Sequence, residues 1–535
     1  MESQHRQPGR FRETVALVLV AGLLGGVQPA SWAQAVKDTL VVAVGGDIET
    51  IDPPVTSGAP FQHEIISNLY DFLIDFGVRR TESGELIGDL NRFSGEIAKS
   101  FTVSADGRAT FRLRENAKFS DGTPVTAEDV KYSYDRIFGV NAVTAALMRM
   151  ATVNDASHVK VLDPGTVEIR MARPNPLLFG NMAQFGHAIV NAAQVKARAT
   201  TQDPWATGWM KTNAVGAGAF LLERWTPGSE IVLARNEHYW AGPARLRRIV
   251  FRIIPDPSTR ALLLRRGAVD VAYDLALEDL ETLRNDPNVA VRRFPTTIVK
   301  YLGMNVNMRP FDNVKVRQAI AYAVPYDTIL KEAVRGYGLP LRSPVPKGMA
   351  SHDESVFMYG TNPTRARSLL AEAGLSSGFR TRLTVRAGFP VDEQIAVWVQ
   401  SALRGIGVEV EIDKLPLAGY TERLRRHEFP GLFIHEWLSI NNDPFYHYFW
   451  LFRQGCCNYG NWTNPEVTEL IGTMMLNTNT IARNDASRRA QRLIMEEAPW
   501  AFLYQPDYTI AMRKHVKGYI YYPDRYNRWY SVYKE

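Results

Sequence analysis

Residues 431–462 combine the side-chain types that bind ligands. The stretch reads GLFIHEWLSINNDPFYHYFWLFRQGCCNYGNW, with 10 aromatic residues among 32 and acids at Glu436 and Asp443. Aromatic faces such as that of Trp437 supply apolar contact area, and carboxylates pair with cations. An apolar run before Trp437 and polar turn residues after it predict a buried strand that opens into a loop, where α/β domains hold ligands. We therefore expect one wall of a ligand cleft, although aromatic density is also typical of a core.

The same stretch contains both cysteines of the chain, Cys456 and Cys457. Adjacent cysteines in an exported protein form a strained vicinal disulfide or remain a pair of thiols. No CxxC spacing indicates a zinc site. His435 and His447 could reach a metal together, but scattered histidines are more often surface or packing residues. We expect no metal and no other cofactor.

Letter matches to enzyme motifs occur, but each lacks a required part. Residues 374–378 fit G-x-S-x-G, yet a helix ends there and a strand follows, the reverse of the strand-turn-helix order of a nucleophile elbow. The His-Glu dipeptides at 427–428 and 435–436 lack the second histidine of a zinc protease helix, and 216–218 (Gly-Ala-Gly) lacks the third glycine of a dinucleotide fingerprint. From these matches we predict no enzyme, with a secreted hydrolase as the less favoured alternative.

The composition predicts a globular protein that is exported. The chain has 535 residues, 45% hydrophobic and 22% charged, and its net charge of +6 is spread among acidic neighbours, which argues against nucleic-acid binding. Arginines precede an uncharged run at 14–27, and a small-x-small end follows at 31–33, which is the pattern of a secretory signal peptide. The run is shorter than a membrane span needs. We predict cleavage near Ala33 and a soluble periplasmic protein.

The elements that position these residues follow from hydrophobic periodicity. Residues 38–44 predict a strand, and 312–334 predict the strongest helix, which Pro325 kinks or divides in two. Thr126 followed by Asp129 predicts the capped start of another helix. Towards the aromatic stretch, helices and strands alternate, which predicts a largely parallel sheet covered by helices on both faces. No linker separates the parts of the chain, which indicates domains that the chain leaves and re-enters.

Several long motifs occur in a fixed order along the chain. They are FRLRENAKFSDGTPVTAEDVKYSYDR at 111–136, FRIIPDPSTRALLLRRGAVDVAY at 251–273, YLGMNVNMRPFDNVKVRQAIAYAV at 301–324 and NYGNWTNPEVTELI at 458–471. With these motifs the sequence resembles the extracytoplasmic solute-binding proteins of the peptide/nickel class, family 5, that serve ABC importers. The resemblance covers essentially the whole chain after the signal peptide.

The resemblance implies an α/β fold of the periplasmic binding protein type II class, with two lobes joined by a hinge, an additional domain, and mixed sheets flanked by helices. Such lobes close over a ligand by hinge motion. The expected boundaries are 1–33 for the signal peptide, 34–76, 213–300 and 501–535 for a discontinuous lobe I, 77–212 for the extra domain beside lobe I, and 301–500 for lobe II. These names are kept for these ranges below.

The resemblance also implies a role for Trp437. In peptide-binding relatives a tryptophan packs on the ligand, and an aspartate three residues later pairs with the α-amino group of the peptide. This chain has Trp437, but Ile440 stands where the aspartate would be. A buried ammonium without a partner is costly. Either Glu436 or Asp443 substitutes for the aspartate, or the ligand is not a simple peptide.

We predict a monomeric periplasmic receptor that captures an organic solute, a peptide or peptide-like compound, and delivers it to permease subunits in the inner membrane. The alternatives that the family implies are a metal chelate, haem, an opine or an oligosaccharide. Aromatic faces, amides and a hydroxyl would contact the solute, Arg425 would meet a carboxylate, and an acid would meet a cation. The expected ligand-binding residues are Asn305, Asn307, Arg425, Glu436, Trp437, Ser439, Asp443 and Tyr446.

Overall fold

The computed structural model describes residues 37–55, 60–82, 84–455 and 457–535. The predicted signal peptide, its cleavage site near Ala33, and Cys456 lie outside these ranges, so cleavage stays a prediction. Across the described ranges, no helix has the length and apolar character needed to cross a membrane.

Both lobes and the extra domain contain strands. In chain order they are β1 Thr39–Val44, β2 Ile74–Arg80, β3 Leu86–Gly95, β4 Ala98–Val103, β5 Arg108–Leu113, β6 Val159–Asp163, β7 Thr166–Arg170, β8 Phe220–Thr226, β9 Glu230–Arg235, β10 Arg248–Ile253, β11 Val271–Tyr273, β12 Val289–Pro295, β13 Ile298–Met304, β14 Gly338–Pro340, β15 Phe379–Arg386, β16 Val408–Leu415, β17 Leu432–Leu438, β18 Trp500–Arg513, β19 Val516–Lys517 and β20 Tyr533–Lys534.

Helices connect and cover these strands. They are α1 Pro60–Leu69, α2 Ala127–Val140, α3 Val143–Met150, α4 Leu178–Met182, α5 Ala192–Lys196, α6 Thr207–Met210, α7 Pro257–Arg265, α8 Leu277–Arg284, α9 Val314–Ala323, α10 Tyr326–Thr328, α11 Pro363–Glu372, α12 Pro390–Arg404, α13 Leu417–Arg426, α14 Pro444–Leu451, α15 Pro465–Met474 and α16 Thr480–Glu497. A π-helical turn, Ile329–Ala333, continues α10.

One mixed sheet extends through both lobes. Its strand order in the described residues is β16-β15-β17-β13-β18-β11-β1-β10-β9-β8, and β12 and β14 also pair with β18. In lobe II, β15 runs parallel to β16 and β17, whereas β13 runs antiparallel to both β17 and β18. The sheet is therefore less parallel than the alternation of helices and strands predicted, because β13 and β18 join it without a helical crossover.

Two antiparallel segments connect the lobes. β12 pairs with residues 507–513 of β18, and β13, which follows after Thr296 and Thr297, pairs with residues 500–504. One strand, β18, is thus shared by both lobes. At the junction the Thr296 hydroxyl donates a hydrogen bond of 2.6 Å to the Pro506 carbonyl. Both crossings lie beside the lobe boundaries expected from the sequence, and the full division into domains stays a prediction.

The helix starts and breaks read from the sequence agree with the structure. Helix α2 begins after Thr126, whose hydroxyl accepts from the Asp129 amide while the Asp129 carboxylate accepts from the Thr126 amide, which confirms the capping box. Helix α9 ends at Ala323 and α10 begins at Tyr326, which confirms the division at Pro325. The proline cannot donate the backbone hydrogen bond that a continuous helix would need.

Close backbone packing in lobe I leads to a first prediction. A Cβ added at Gly218 would lie 2.5 Å from the Leu69 carbonyl carbon and 2.6 Å from the Tyr70 nitrogen. We expect Gly218→Ala to lower the free energy of unfolding by about 1–3 kcal/mol, because the end of α1 must shift. Gly472→Ala is the matched control: Gly472 is exposed on α15 with nothing within 4 Å of an added Cβ.

The control substitution should raise the free energy of unfolding by roughly 0.5–1 kcal/mol, because alanine is the better helix former. Urea unfolding of the two variants measures the difference. Equal stabilities of the two variants would contradict the close packing at Gly218.

Candidate ligand-binding site

Strand β17 carries the aromatic stretch to the junction of the lobes. Residues 432–434 are buried, and β17 ends at Leu438, which pairs with Ile298 at the start of β13. The predicted buried strand is confirmed. The loop after it is short, because α14 begins at Pro444. The sequence signal for this missed helix is the pair Asp443-Pro444, an N-cap followed by proline at the first helical position.

Four charged side chains cluster at this edge of lobe II. Lys300 Nζ lies 3.1 Å from Glu436 Oε2 and also pairs with Asp392. Arg386, the last residue of β15, places Nη2 2.8 Å from Asp392 Oδ2 and 3.7 Å from Glu436 Oε2. Lys300 and Asp392 are buried, whereas a third of the Glu436 side chain remains exposed. The cluster is neutral, and Glu436 is the member most open to the junction.

The surrounding charges keep this cluster ionised. Burial opposes ionisation of Glu436, but Lys300, Arg386 and Arg525 outweigh it, and the pKa of Glu436 is lowered from its ordinary value. Burial likewise opposes the charge on Arg386, but Glu436 and Asp392 outweigh it and raise the pKa of Arg386. Glu436 is therefore a carboxylate at all physiological pH values.

A chain of hydrogen bonds fixes the indole of Trp437. Its Nε1–H donates to Ser439 Oγ at 3.3 Å, and the Ser439 hydroxyl lies 2.7 Å from His447 Nδ1. His447 Nε2 lies 3.0 Å from the Pro344 carbonyl, so Nε2 carries the proton and Nδ1 accepts from Ser439. Burial lowers the pKa of His447 to about 3. Ser439 is fully buried in this network, and Trp437 is partly exposed.

Asp443 and Tyr446 are engaged in packing at the start of α14. Asp443 Oδ1 accepts from the amides of Phe445 and Tyr446, at 2.8 and 3.1 Å, and Asp443 Oδ2 pairs with Arg483. This carboxylate has no spare oxygen. Tyr446 is 2% exposed, and its ring contacts Trp450 edge-on with centroids 6.1 Å apart.

Three expected residues do not come near Trp437. Because β13 and β17 are antiparallel, the end of β13 at Met304 pairs with Leu432, at the opposite end of β17. Asn305, the next residue, donates 2.7 Å to the Phe429 carbonyl, and the Asn307 amide is held by Asn305 Oδ1. Arg425 lies in the last turn of α13, exposed and paired with Glu422.

The turn after β17 contacts the extra domain. Gln184 Nε2 donates 3.0 Å to the Ile440 carbonyl, and Asn441 Nδ2 donates to the Leu177 carbonyl and to Asn181 Oδ1 at 3.2 and 3.0 Å. Asn442 Nδ2 donates 3.0 Å to Asn91 Oδ1. Lobe II and the extra domain are therefore in direct contact. Position 440, where the aspartate is missing, contributes its backbone to this contact.

The C-terminal part of lobe I faces the same edge. Arg525 lies close enough to Glu436 to lower that group's pKa, whereas burial, Asp524 and Tyr446 together raise the pKa of Tyr526. The sequence does not mark these two lobe I residues, nor Lys300, Arg386 and Asp392, as candidates for the site. No motif marks them, because they come together only through the antiparallel pairing of distant strands and the return of the chain terminus to lobe I.

Metal ligation has no support in the described part of the chain, where no three His, Cys, Asp or Glu side chains are placed to hold a metal ion. His435 stacks near Tyr420, with centroids 5.9 Å apart, and burial lowers its pKa to about 3. Cys457 is disulfide-bonded.

Comparison with known proteins decides the family. The model of the bacterial extracellular solute-binding proteins, family 5 (middle), matches residues 92–458. A curated relative, the probable D,D-dipeptide-binding periplasmic protein DdpA of Escherichia coli (strain K12), is 30% identical over 521 residues, 96% of each chain. The chain belongs to the family 5 solute-binding proteins. The predicted family is thereby confirmed, and members of this family are binding proteins that act outside the cytoplasm.

Solved structures of this kind have the same fold. The dipeptide-binding protein from Pseudoalteromonas sp. SM9913 in complex with Met-Leu is 23% identical, with a TM-score of 0.81 over 93% of this chain and all of that chain. MoaA from A. tumefaciens R10 in complex with mannopinic acid is 22% identical, with a TM-score of 0.80 over the same shares. The predicted fold class is confirmed. At these identities the likeness shows the fold alone, since a peptide complex and an opine complex match equally well.

The buried His447 leads to a prediction about pH. The pKa of His447 is about 3 in the folded protein and about 6.5 in the unfolded chain. Between these values only the unfolded chain binds the proton, so His447 destabilises the protein as the pH falls from about 6.5 towards 3. In His447→Gln this contribution is absent.

The difference in free energy of unfolding between wild type and His447→Gln should therefore shrink by about 1.4 kcal/mol for each pH unit below about 6. Urea unfolding at several pH values between 7 and 4 measures it. A difference that stays constant with pH would mean that His447 titrates normally in the folded protein, against the buried network described above.

Proposed function

We propose that this protein is the receptor of an ABC importer that captures a short peptide by closure of its lobes and delivers it to permease subunits in the inner membrane. Membership of family 5 and the likeness to DdpA support this function. The observation that carries the peptide assignment is that 30% identity extends over 96% of a relative named for D,D-dipeptides. A periplasmic location and a monomeric receptor fit this proposal.

Trp437 is the proposed aromatic contact of the peptide. It lies at the carboxyl end of β17, partly exposed, with its orientation set by Ser439 and His447. A tryptophan face contacts backbone and small side chains without selecting among them. The face therefore supplies contact area, and the charged groups of the cleft supply selectivity.

Glu436 is the proposed partner of the peptide's ammonium group. Ile440 provides no carboxylate, and both oxygens of Asp443 are already engaged. Glu436 remains a third exposed, and only its Oε2 is held, by Lys300 and Arg386. This leaves Oε1 available for a ligand cation. Of the two substitutes considered for the missing aspartate, the geometry favours Glu436, and Asn305, Asn307, Arg425 and Asp443 are left out of the proposed site.

The function is tested by identifying what the protein binds. Native mass spectrometry of the purified protein, followed by denaturation, gives the mass of any bound solute. Calorimetry then compares D-alanyl-D-alanine, L-alanyl-L-alanine and mannopinic acid. We expect a peptide mass and micromolar or tighter binding of at least one dipeptide, about −8 kcal/mol. Binding of mannopinic acid but of no peptide would contradict the proposal.

Substitution of Trp437 tests the aromatic contact. We expect Trp437→Ala to weaken dipeptide binding roughly tenfold or more, about 1.4 kcal/mol, because the contact area of the indole is lost. Trp398→Ala is the matched control, since Trp398 is partly exposed on α12. Calorimetry on both variants measures the effect, and an unchanged affinity of Trp437→Ala would remove this residue from the site.

Substitution of Glu436 tests the ammonium partner. We expect Glu436→Gln to weaken binding of a free dipeptide roughly tenfold or more and to leave binding of its N-acetyl derivative unchanged, because only the free peptide has a charged amine. Asp443→Asn serves as the comparison, and it should lower thermal stability without changing the preference for the free amine. If Asp443→Asn alone abolishes that preference, the assignment to Glu436 is wrong.

A further inference from the structure

Arg525 occupies an unusual place in the C-terminal segment of lobe I. Its backbone is left-handed, with φ of 66°, a conformation that non-glycine residues rarely adopt. The turn is held by a 2.8 Å hydrogen bond from the Arg525 amide to the Tyr522 carbonyl and by one of 3.0 Å from the Tyr526 amide to Asp524 Oδ1. Backbone strain of this kind persists where the surrounding structure over-determines it, and it is often found at ligand sites. The turn places the long side chain of Arg525 beside Asp274 and Tyr508.

The guanidinium of Arg525 is sparsely bonded for a side chain that is four-fifths buried. Its Nη2 lies 3.5 Å from Asp274 Oδ1, at the limit of a hydrogen bond, and its Cζ lies 5.6 Å from the ring centre of Tyr508. Its Nε–H is buried with no acceptor among the described residues. A guanidinium has five N–H donors, and buried donors normally have partners.

Arg528, three residues later, shows what a structural arginine in this segment looks like. It donates to both oxygens of Asp75 and of Asp524, at 2.5–3.1 Å, and to the Tyr526 carbonyl. All its bonding capacity is used inside lobe I. The contrast indicates that Arg525 keeps donors free for a group that is not part of the chain.

Arg525 lies on the lobe I side of the junction, because its partner Asp274 directly follows β11, whose carboxyl end points towards the junction. Burial lowers the pKa of Arg525, but the nearby carboxylates of Asp274 and Glu436 outweigh it and raise that pKa. Arg525 in turn contributes to the lowered pKa of Glu436 in lobe II. Asp274 follows directly after β11 and is 60% exposed, so it can turn to solvent and release Arg525. An anion between the lobes would therefore meet a charged, desolvated and incompletely paired guanidinium.

We propose that Arg525 binds the carboxylate of the captured solute and so selects ligands with a free acid group. The inference deepens the proposed function, because it names the ligand class of the same cleft: a peptide with a free C-terminus. Guanidinium and carboxylate form two parallel hydrogen bonds, which makes the contact both strong and directional. Nε–H and one Nη–H point in the directions that such a bidentate contact needs.

The test compares free and blocked carboxylates on wild type and two variants. Calorimetry is done with D-alanyl-D-alanine, L-alanyl-L-alanine and their C-terminal amides on the wild type, Arg525→Ala and Arg525→Lys. Arg425→Ala is the matched control, since Arg425 is exposed at the far end of lobe II. Circular dichroism and thermal melting show whether each variant is folded.

The wild type should bind the free acids about 10- to 100-fold more tightly than the amides, and Arg525→Ala should lose that difference, because one charge-assisted contact is removed. Arg525→Lys should keep part of this difference in affinity between acids and amides, and Arg425→Ala should keep all of it. Equal weakening of acids and amides in a folded Arg525→Ala, or no weakening, would overturn the inference while peptide binding itself stands.

If the wild type binds no peptide, the proposed function fails by itself. The same comparison is then made with mannopinic acid and with the solute that native mass spectrometry finds on the wild type. A carboxylate-bearing solute that Arg525→Ala no longer holds supports the inference. A solute without an acid group, or one that Arg525→Ala holds unchanged, overturns it.

Discussion

The antiparallel ladder formed by β12 and β13 on one side and β18 on the other is the constraint on which the rest of the structure depends. The register places Tyr273, the end of β11, opposite Ile510, and Ile298 opposite Leu438, so both β11 and β17 point their carboxyl ends at the junction of the lobes. Ligands of α/β domains bind at such ends. The ladder therefore determines, through the backbone alone, where the proposed cleft lies.

The charges at the junction are balanced, and the balance has a physical reason. Lys300 of β13 and Arg386 of β15 face Asp392 and Glu436, and Arg525 of lobe I faces Asp274. An unpaired buried charge would be several kcal/mol less stable than a paired one. Such pairs add little net stability, but they hold each group ionised and oriented. Charged hydrogen-bond donors and acceptors can therefore lie partly buried at the junction without a large loss of folding stability.

The sequence predicts the fold better than the site. Long motifs identified the family, and local signals placed the capped start of α2 and the division at Pro325, because caps and prolines act within a few residues. Asn305 and Arg425 were expected near Trp437, but the antiparallel pairing of β13 with β17 places Asn305 at the other end of these strands, and Arg425 lies in the last turn of α13. Register between distant strands has no local signal.

The residues added by the structure show the same limit. Arg525 lies 89 positions after Glu436 in the chain and influences its pKa only because the terminus returns to lobe I. Asp443 is the opposite case. Its position near Ile440 in the sequence made it a candidate ligand carboxylate, but it caps α14 and pairs with Arg483. A charged residue can serve a ligand only when the fold leaves its bonding capacity unused, and that capacity is a property of three-dimensional packing.

The contacts between lobe II and the extra domain bear on how closure is controlled. The amides at Asn441 and Asn442 and the Ile440 carbonyl form neutral hydrogen bonds with the extra domain, and Leu147 and Leu177 pack against the lobe II core. Each neutral hydrogen bond is worth about 1 kcal/mol net, and burial of each leucine adds about 1.5–3 kcal/mol, so both kinds of contact stabilise this arrangement of lobe II and the extra domain.

A ligand shifts such an equilibrium only by the difference in its affinity for the two states. With an acid on lobe II and a guanidinium on lobe I, a zwitterionic solute gains both of its charged contacts only when the lobes are together. In the proposed site, its opposite charges would therefore contribute to the differential affinity that a shift towards the closed state requires.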